Sequence, residues 1–412
     1  MRAPARRSSA PRATSPQLSP PLPSTHPSTN DVLIIGAGII GAAVAWQALR
    51  GGQSVTYLDP SPGAGATFAA AGMLAPVTEA TVGEDALTAL CVASASLWPA
   101  FAAELADAAG MDLGFETSGT LTVGYDQADA AQLDRLHALH TRLGLRSEPI
   151  TVAQAREREP FLGPQLSCAL WVAGDHQVDP RAVHRALLAV LAADPRATFI
   201  RSSATELLLG RDGRAIGATD AHGGVHHAGT VVLAAGTASG RLVAPMRHVR
   251  LPVRAVTGQT LRLRTSPGFD LAHVVRGTVQ MRPIYIVPRA GGDVVVGATS
   301  EERDAEDMAS AGGVFALLRD ARALVPGIDE LSFVEVTNRG RPGTPDSLPL
   351  IGETGVPGLL AATGHFRNGI LLTPLTAVAV GGLLGAAPSD DPDLAAVLGA
   401  ADPRRFGPET TR

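Results

Sequence analysis

The chemistry-capable residues begin at Gly36-Ala37-Gly38-Ile39-Ile40-Gly41, a G-x-G-x-x-G run with Asp59 further on. In such a run the first glycine permits a tight turn and the second lets the backbone approach a pyrophosphate. The third lets the following helix lie close on the preceding strand. The unfilled N–H groups at the helix start then face the phosphates. An acid at the end of the next strand accepts hydrogen bonds from ribose hydroxyls, and Asp59 stands at that place. It disfavours a 2′-phosphate, which argues against NADP and leaves NAD and FAD open. The stretch that follows, from Gly63 through Ala66, Thr67, Ala71 and Gly72 to Met73, is almost all small side chains. A backbone this bare can lie against an extended ligand.

These residues need a strand before the turn and a helix after it. Residues 32–35 are a continuous apolar run, residues 39–50 an Ala-rich helix stopped by Gly51-Gly52, and residues 54–58 a second strand. That is a βαβ unit with strands buried on both faces. Further helices are expected at 84–109, 126–143, 180–193, 304–325 and from Pro374 to about 384. Short strands are expected at 119–125, 231–233, 260–264, 284–287, 293–296 and 359–362, with a hairpin signal at Arg289-Ala290-Gly291-Gly292. A parallel unit at the start, β-rich material in the middle and a strand–loop–helix at the end predict two domains woven through each other. No internal repeat is present.

Hydrophobic residues make up 45% of the 412 and charged ones 18%, enough for a sizeable core. The net charge is −5 with both signs dispersed, so nothing points to nucleic acid. Cys91 and Cys168 are the only cysteines and form no CxxC pair, which fits a reducing cytosol. His137 and His140, and the pair His226-His227, lack a third ligand, so no metal site is expected. Residues 1–30 are dominated by Pro and Ser and read as disordered. The apolar run 370–387 is broken by Pro374 and a Gly-Gly pair, so it reads as a buried helix rather than a membrane span. The expectation is a cytoplasmic protein with no membrane partner.

Five motifs occur in order: the G-A-G-I-I-G turn, A-A-A-G-M-L at 69–74, R-P-G-T-P-D at 341–346, L-P-L-I-G at 348–352 and G-H-F-R-N-G-I-L-L at 364–372. Across residues 31–388 the chain thereby resembles the glycine oxidases of thiamine biosynthesis, in the D-amino acid oxidase family of FAD-dependent oxidoreductases. The resemblance implies an α/β fold: a glutathione-reductase-like FAD-binding domain with a Rossmann-type parallel sheet, interleaved with an antiparallel-sheet substrate domain. The expected boundaries are 31–90, 150–248 and 334–388 for the first, 91–149 and 249–333 for the second, and 389–412 for a tail. It also implies that Gly36, Gly38, Ile39, Ile40, Gly41, Asp59 and Pro60 meet the pyrophosphate and adenosine. Ala66, Thr67 and Ala71, Gly72 and Met73 would follow the cofactor, and Glu206 would flank the adenine. His365, Phe366, Arg367, Asn368, Gly369, Ile370 and Leu371 would contact the flavin.

An amino acid presents a carboxylate, and planar bidentate recognition of a carboxylate favours arginine. By the resemblance, Arg341 binds the substrate carboxylate, Tyr285 closes the pocket with its hydroxyl, and Arg367 lies near the substrate. As residue types alone, the arginines read equally as surface ion pairs and the tyrosine as strand packing; Arg339 reads as solvated. The implied reaction converts a small amino acid, O2 and water to an oxoacid, ammonia and hydrogen peroxide, with no side-chain general base and His365 in a packing role. Ser300, and a long segment before Gly258, leave glycine, sarcosine, D-alanine and D-proline all open as substrates. A D-amino acid dehydrogenase and a sarcosine oxidase-like enzyme are the alternatives, and the resemblance implies a tetramer.

Overall fold

The structure is a computed structural model describing residues 30–302, 308–386 and 392–407. The segment read as disordered lies outside the described residues, apart from Asn30. The described residues build two eight-stranded sheets that face each other across a cavity, and a small two-stranded sheet of Met73–Leu74 and His176–Gln177.

Asn30–Ile35 is the central strand of the first sheet, as its unbroken apolar run requires. Strand alternation sends Val32 and Ile34 into one core and Leu33 and Ile35 into another on the opposite face. The sheet runs Leu350–Glu353, Leu359–Thr363, Val225–Leu233, Asn30–Ile35, Val55–Leu58, Ala197–Ile200. Every pairing along it is parallel except the first. Helices Ile39–Arg50, Pro180–Ala193, Thr373–Leu383 and Asp85–Ala109 contribute to the core on one face. The antiparallel strands Ala204–Leu209 and Ala215–Asp220 extend the sheet through Val225–Leu233. Asp85–Ala109 is the one described helix long and apolar enough to cross a membrane. Its Leu90, Trp98 and Leu105 are fully buried inside the fold, as in a core helix.

The second sheet runs Ser332–Gly343, Arg254–Arg264, Asp293–Gly297, Arg282–Pro288, Val274–Val279, Thr120–Gly124, Cys168–Val172, Glu148–Ile150. It is antiparallel except between Val274–Val279 and Thr120–Gly124. Helix Ala311–Leu324 covers one face and contributes Leu317, Ala321 and Leu324 to the second core. The other face looks onto the cavity.

Sheet membership departs from the expected boundaries. Helix Asp85–Ala109 packs wholly in the first core, because Ser94 Oγ and Trp98 Nε1 both donate to the Leu371 carbonyl, at 2.6 and 2.9 Å. Cys168–Val172 and Ser332–Gly343 belong to the second sheet, the last bonded to Arg254–Arg264 along its whole length, whereas Glu148–Ile150 joins that sheet as expected for 91–149, running one residue past the boundary. The expected tail is also structured between 392 and 407. Leu394 and Ala401 enter the first core, and Arg405 bonds Asp346 at 2.8 Å. The helix expected from 304 is observed as Ala311–Leu324; residues 303–307 lie outside the described ones.

Candidate active site

A cavity of about 1300 Å³ lies between the sheets and runs unbroken from the dinucleotide turn to Arg341. At its first end Gly36 adopts φ +103 and donates its N–H to the Leu58 carbonyl at 2.8 Å. Only glycine takes that conformation without strain. Gly41 is equally constrained, since any side chain there would overlap the Gly36 carbonyl. It packs helix on strand and does not line the cavity. Asp59 Oδ2 accepts from Ala37 N–H at 2.7 Å and Oδ1 from Ser61 N–H at 2.8 Å, so the acid is braced at the strand end. Ile39 N–H donates to Thr67 Oγ1 at 3.1 Å, which brings the small-residue segment to the helix N-terminus. Ile40, Pro60 and Ala66 also line this end. Glu206 does not. It is exposed one residue beyond Ser203, Ala204 and Thr205, which line the cavity in its place.

The small-residue segment is held by its carbonyls. Arg181 Nε donates to Phe68 O at 3.0 Å, Thr260 Oγ1 to Ala69 O at 3.1 Å, and Arg262 to Phe68 O and Ala70 O at 3.5 Å each. Arg289 donates to Ala71 O and, at 2.7 Å, to Gln177 Oε1. Burial lowers the Arg289 pKa to about 10, which leaves it charged at neutral pH. Gly72, at φ +80, lies where a side chain would overlap the Val178 carbonyl. Sequence reasoning missed Arg181, Arg262 and Arg289, because nothing local distinguishes them from surface arginines.

The loop after Leu359–Thr363 supplies the next wall, from His365 to Ile370. His365 Nε2 lies 2.9 Å from Thr376 Oγ1, and that hydroxyl donates to the Leu372 carbonyl at 2.8 Å. The hydroxyl's single proton is therefore committed, so Nε2–H is the donor to it and Nδ1 is left as an acceptor. Burial lowers the His365 pKa to about 3, so the ring is neutral. Leu371 is not part of this wall. Its side chain sits in the first core and its carbonyl is taken by Ser94 and Trp98.

At the far end, strand register sets a row of side chains across the second sheet: Thr122 beside Arg276, Arg276 beside Tyr285, Tyr285 beside Gly297, and Gly297 beside Thr260. All five line the cavity. A side chain at Gly297 would overlap the Tyr285 ring, and one at Gly258 would overlap the Arg341 guanidinium. The two glycines make room for the two groups. Tyr285 and Arg341 line the same end of the cavity, and the Arg341 guanidinium donates to the Thr299 carbonyl at 3.2 Å. Burial pushes the Tyr285 pKa up, so the phenol keeps its proton. Ser300 lines the same end.

Arg367 lines the cavity too, but its guanidinium is engaged. Nε pairs with Glu79 Oε2 at 3.1 Å, and Nη2 pairs with Glu84 and reaches Thr81 Oγ1 at 3.3 Å. Arg276 pairs with the other Glu79 oxygen. Burial alone would raise the Glu79 pKa, yet Arg276 and Arg367 together hold it below the ordinary value. Glu79 and Arg276 were not singled out from the sequence. Arg339, read as solvated, instead donates to the Ala64 carbonyl at 2.8 Å and ties the edge strand of the second sheet to the segment before Ala66. Among the described residues no group of three His, Cys, Asp or Glu could hold a metal ion. His137 and His140 both bond Ser147 Oγ, at 2.9 and 2.8 Å, and His226 pairs with Asp220 at 2.8 Å.

The cavity's build fits FAD. A bare-glycine turn opens onto a helix N-terminus, a pinned small-residue wall follows, and a neutral histidine loop and a basic pocket lie beyond.

Comparison with known proteins agrees. The family model for FAD dependent oxidoreductases (DAO) matches residues 31–383. The bifunctional protein ThiO/ThiG of Nostoc sp. is 34% identical over 369 residues, covering 88% of this chain and 54% of its own length. The chain thus spans about half of the bifunctional relatives it matches. Glycine oxidase of Geobacillus kaustophilus is 33% identical over 358 residues, covering 86% of this chain and 92% of that one. The crystal structure of glycine oxidase from Geobacillus kaustophilus superposes with a TM-score of 0.82 at 31% identity, over 92% of this chain and 99% of that one. Iminodiacetate oxidase of Chelativorans sp. gives 0.79 at 27% identity, over 90% and 98%. A family match over most of the chain, with the glycine turn, the pinned small-residue wall and the arginine pocket in one cavity, places this protein in the DAO family of FAD-dependent oxidoreductases.

Proposed function

We propose that the chain oxidises glycine and similar small amino acids with O2 to the imine, which water hydrolyses, giving the oxoacid, ammonia and hydrogen peroxide. The observation that supports this most directly is the convergence of Arg341 and Tyr285 at the end of the cavity beyond the His365 loop. FAD, when bound, supplies the two-electron oxidation of the amine and the return of those electrons to oxygen.

The protein's own part is binding and orientation. Arg341 offers a planar fork for the substrate carboxylate, and the protonated Tyr285 hydroxyl donates beside it. Among the described residues the acids lining the cavity are Asp59, braced in the turn, and Glu79, held ionised between Arg276 and Arg367. A carboxylate so stabilised is a weak base. His365 keeps Nδ1 as an acceptor, but burial lowers its pKa to about 3, so it too is a weak base. The reacting amine is therefore bound unprotonated, with no side chain needed to take its proton. Arg367 acts by holding Glu79 and Glu84 rather than as a second carboxylate ligand. The half-length match to bifunctional ThiO/ThiG proteins supports a place for the product in building the thiazole of thiamine.

Anaerobic addition of glycine, sarcosine, D-alanine or D-proline tests this reading. Bleaching of the flavin absorbance by glycine, with rapid recovery and peroxide on admitting air, is expected. Bleaching without recovery would make the protein a dehydrogenase, and no bleaching by any of the four would mean that the site around Arg341 and Tyr285 serves a different substrate, or none.

A further inference from the structure

The helix Pro180–Ala193 sends one polar side chain back to the dinucleotide turn. His184, 7% exposed, places Nε2 2.8 Å from the Ala37 carbonyl oxygen. A carbonyl only accepts, so this nitrogen carries the proton. Burial lowers the His184 pKa, so the ring is neutral and has no second N–H. Gly63 makes the contact possible, because a side chain there would overlap the imidazole.

Ala37 is thus held from both sides. Its N–H donates to Asp59 at 2.7 Å, and its carbonyl accepts from His184. The carbonyl of Ala37 and the N–H of Gly38 belong to one trans, planar peptide and point in opposite directions. A donor on the carbonyl side therefore fixes where the Gly38 N–H aims, and it polarises that N–H toward a stronger donor. Gly38 caps helix Ile39–Arg50 and lines the cavity.

We infer that His184 is a positioning residue for the cofactor, aiming the Gly38 N–H at a diphosphate oxygen by gripping the other side of the same peptide. The inference rests on assignment of the chain to the FAD-dependent family.

The test is FAD affinity of the apoprotein, by fluorescence titration and flavin content, for wild type, His184→Leu and His184→Gln, with the apoprotein melting temperature recorded for each. Glutamine can present its amide N–H where Nε2 stood. The expected result is about a tenfold weaker Kd for His184→Leu, the order of one lost hydrogen bond to a charged oxygen, with most of it restored in His184→Gln. A Kd equal to wild type in His184→Leu overturns the inference. So does equal weakening in both variants, which marks a packing role only. If His184→Leu does not fold, His184→Gln decides: a Kd within about twofold of wild type supports the grip and a larger loss overturns it. Wild-type apoprotein that takes up no FAD would instead remove the family reading on which the inference stands.

Discussion

Arg341 is the residue on which the substrate reading turns, and its position depends on a residue with no side chain. Arg341→Ala removes a charge-assisted carboxylate contact worth about 2 kcal/mol, so KM should rise roughly thirtyfold with FAD still bound. Unchanged kinetics would dismiss Arg341 as the carboxylate partner. Gly258→Ala tests the same pocket without touching charge. The added methyl would overlap the guanidinium, so KM should rise in that variant as well. His365 gives a prediction in pH. Its folded pKa is about 3, against 6.5 for an ordinary histidine. Between those values the unfolded chain holds a proton that the folded chain refuses, so stability falls as pH drops from about 6.5 toward 3 and is unaffected above that range. In His365→Gln, chemical denaturation at about pH 5 and pH 7.5 should differ less than in wild type; an equal difference would show that the imidazole is not the titrating group.

Among the elements, the wall from Ala66 to Met73 has almost no side chains of its own and is shaped by its neighbours. Arg181, Arg262, Thr260 and Arg289 reach it from the helix Pro180–Ala193 and from the second sheet. Arg289→Leu would leave the Ala71 carbonyl and Gln177 without their cationic donor, at a cost of about 2–4 kcal/mol. A lowered melting temperature with reduced flavin content is expected, and full flavin occupancy in the purified variant would show that Arg289 does not shape the wall. The hairpin between Val274–Val279 and Arg282–Pro288 follows a similar logic. It turns on Gln280 and Met281, both at positive φ, without a glycine. Asp129, buried on the helix Gln127–Arg142, accepts from both of their N–H groups at 3.0 and 2.8 Å. This tie fastens the helix whose Gln132 and Leu136 line the cavity.

Across the whole molecule the cofactor cavity is the seam between the two sheets, and the chain crosses that seam repeatedly. Ligand bound in the seam touches both cores and stabilises their folded arrangement together. FAD at about a hundred times its Kd should add about 2.7 kcal/mol. Apoprotein titrated with FAD should therefore melt in one transition that moves upward with FAD concentration. Two transitions, with only one responding, would show that the cores unfold independently.

The sequence alone determined the parts governed by neighbouring residues. Gly36, Gly38, Gly41 and Asp59 announce the βαβ turn because turn geometry, helix start and strand end are local. The motif order from A-A-A-G-M-L to G-H-F-R-N-G pointed to the family for the same reason. Tertiary structure decided which charges meet. Arg367 reads like Arg341 in the chain, yet one is bound by Glu79 and Glu84 while the other faces the cavity beside Tyr285. Arg339 is two residues from Arg341 on the same strand, yet it grips Ala64. An arginine's partner depends on sheet register and on which distant strand or loop is brought opposite, and residue type encodes neither. The same holds for Gly258 and Gly63, whose missing side chains matter only because Arg341 and His184 fold into the space.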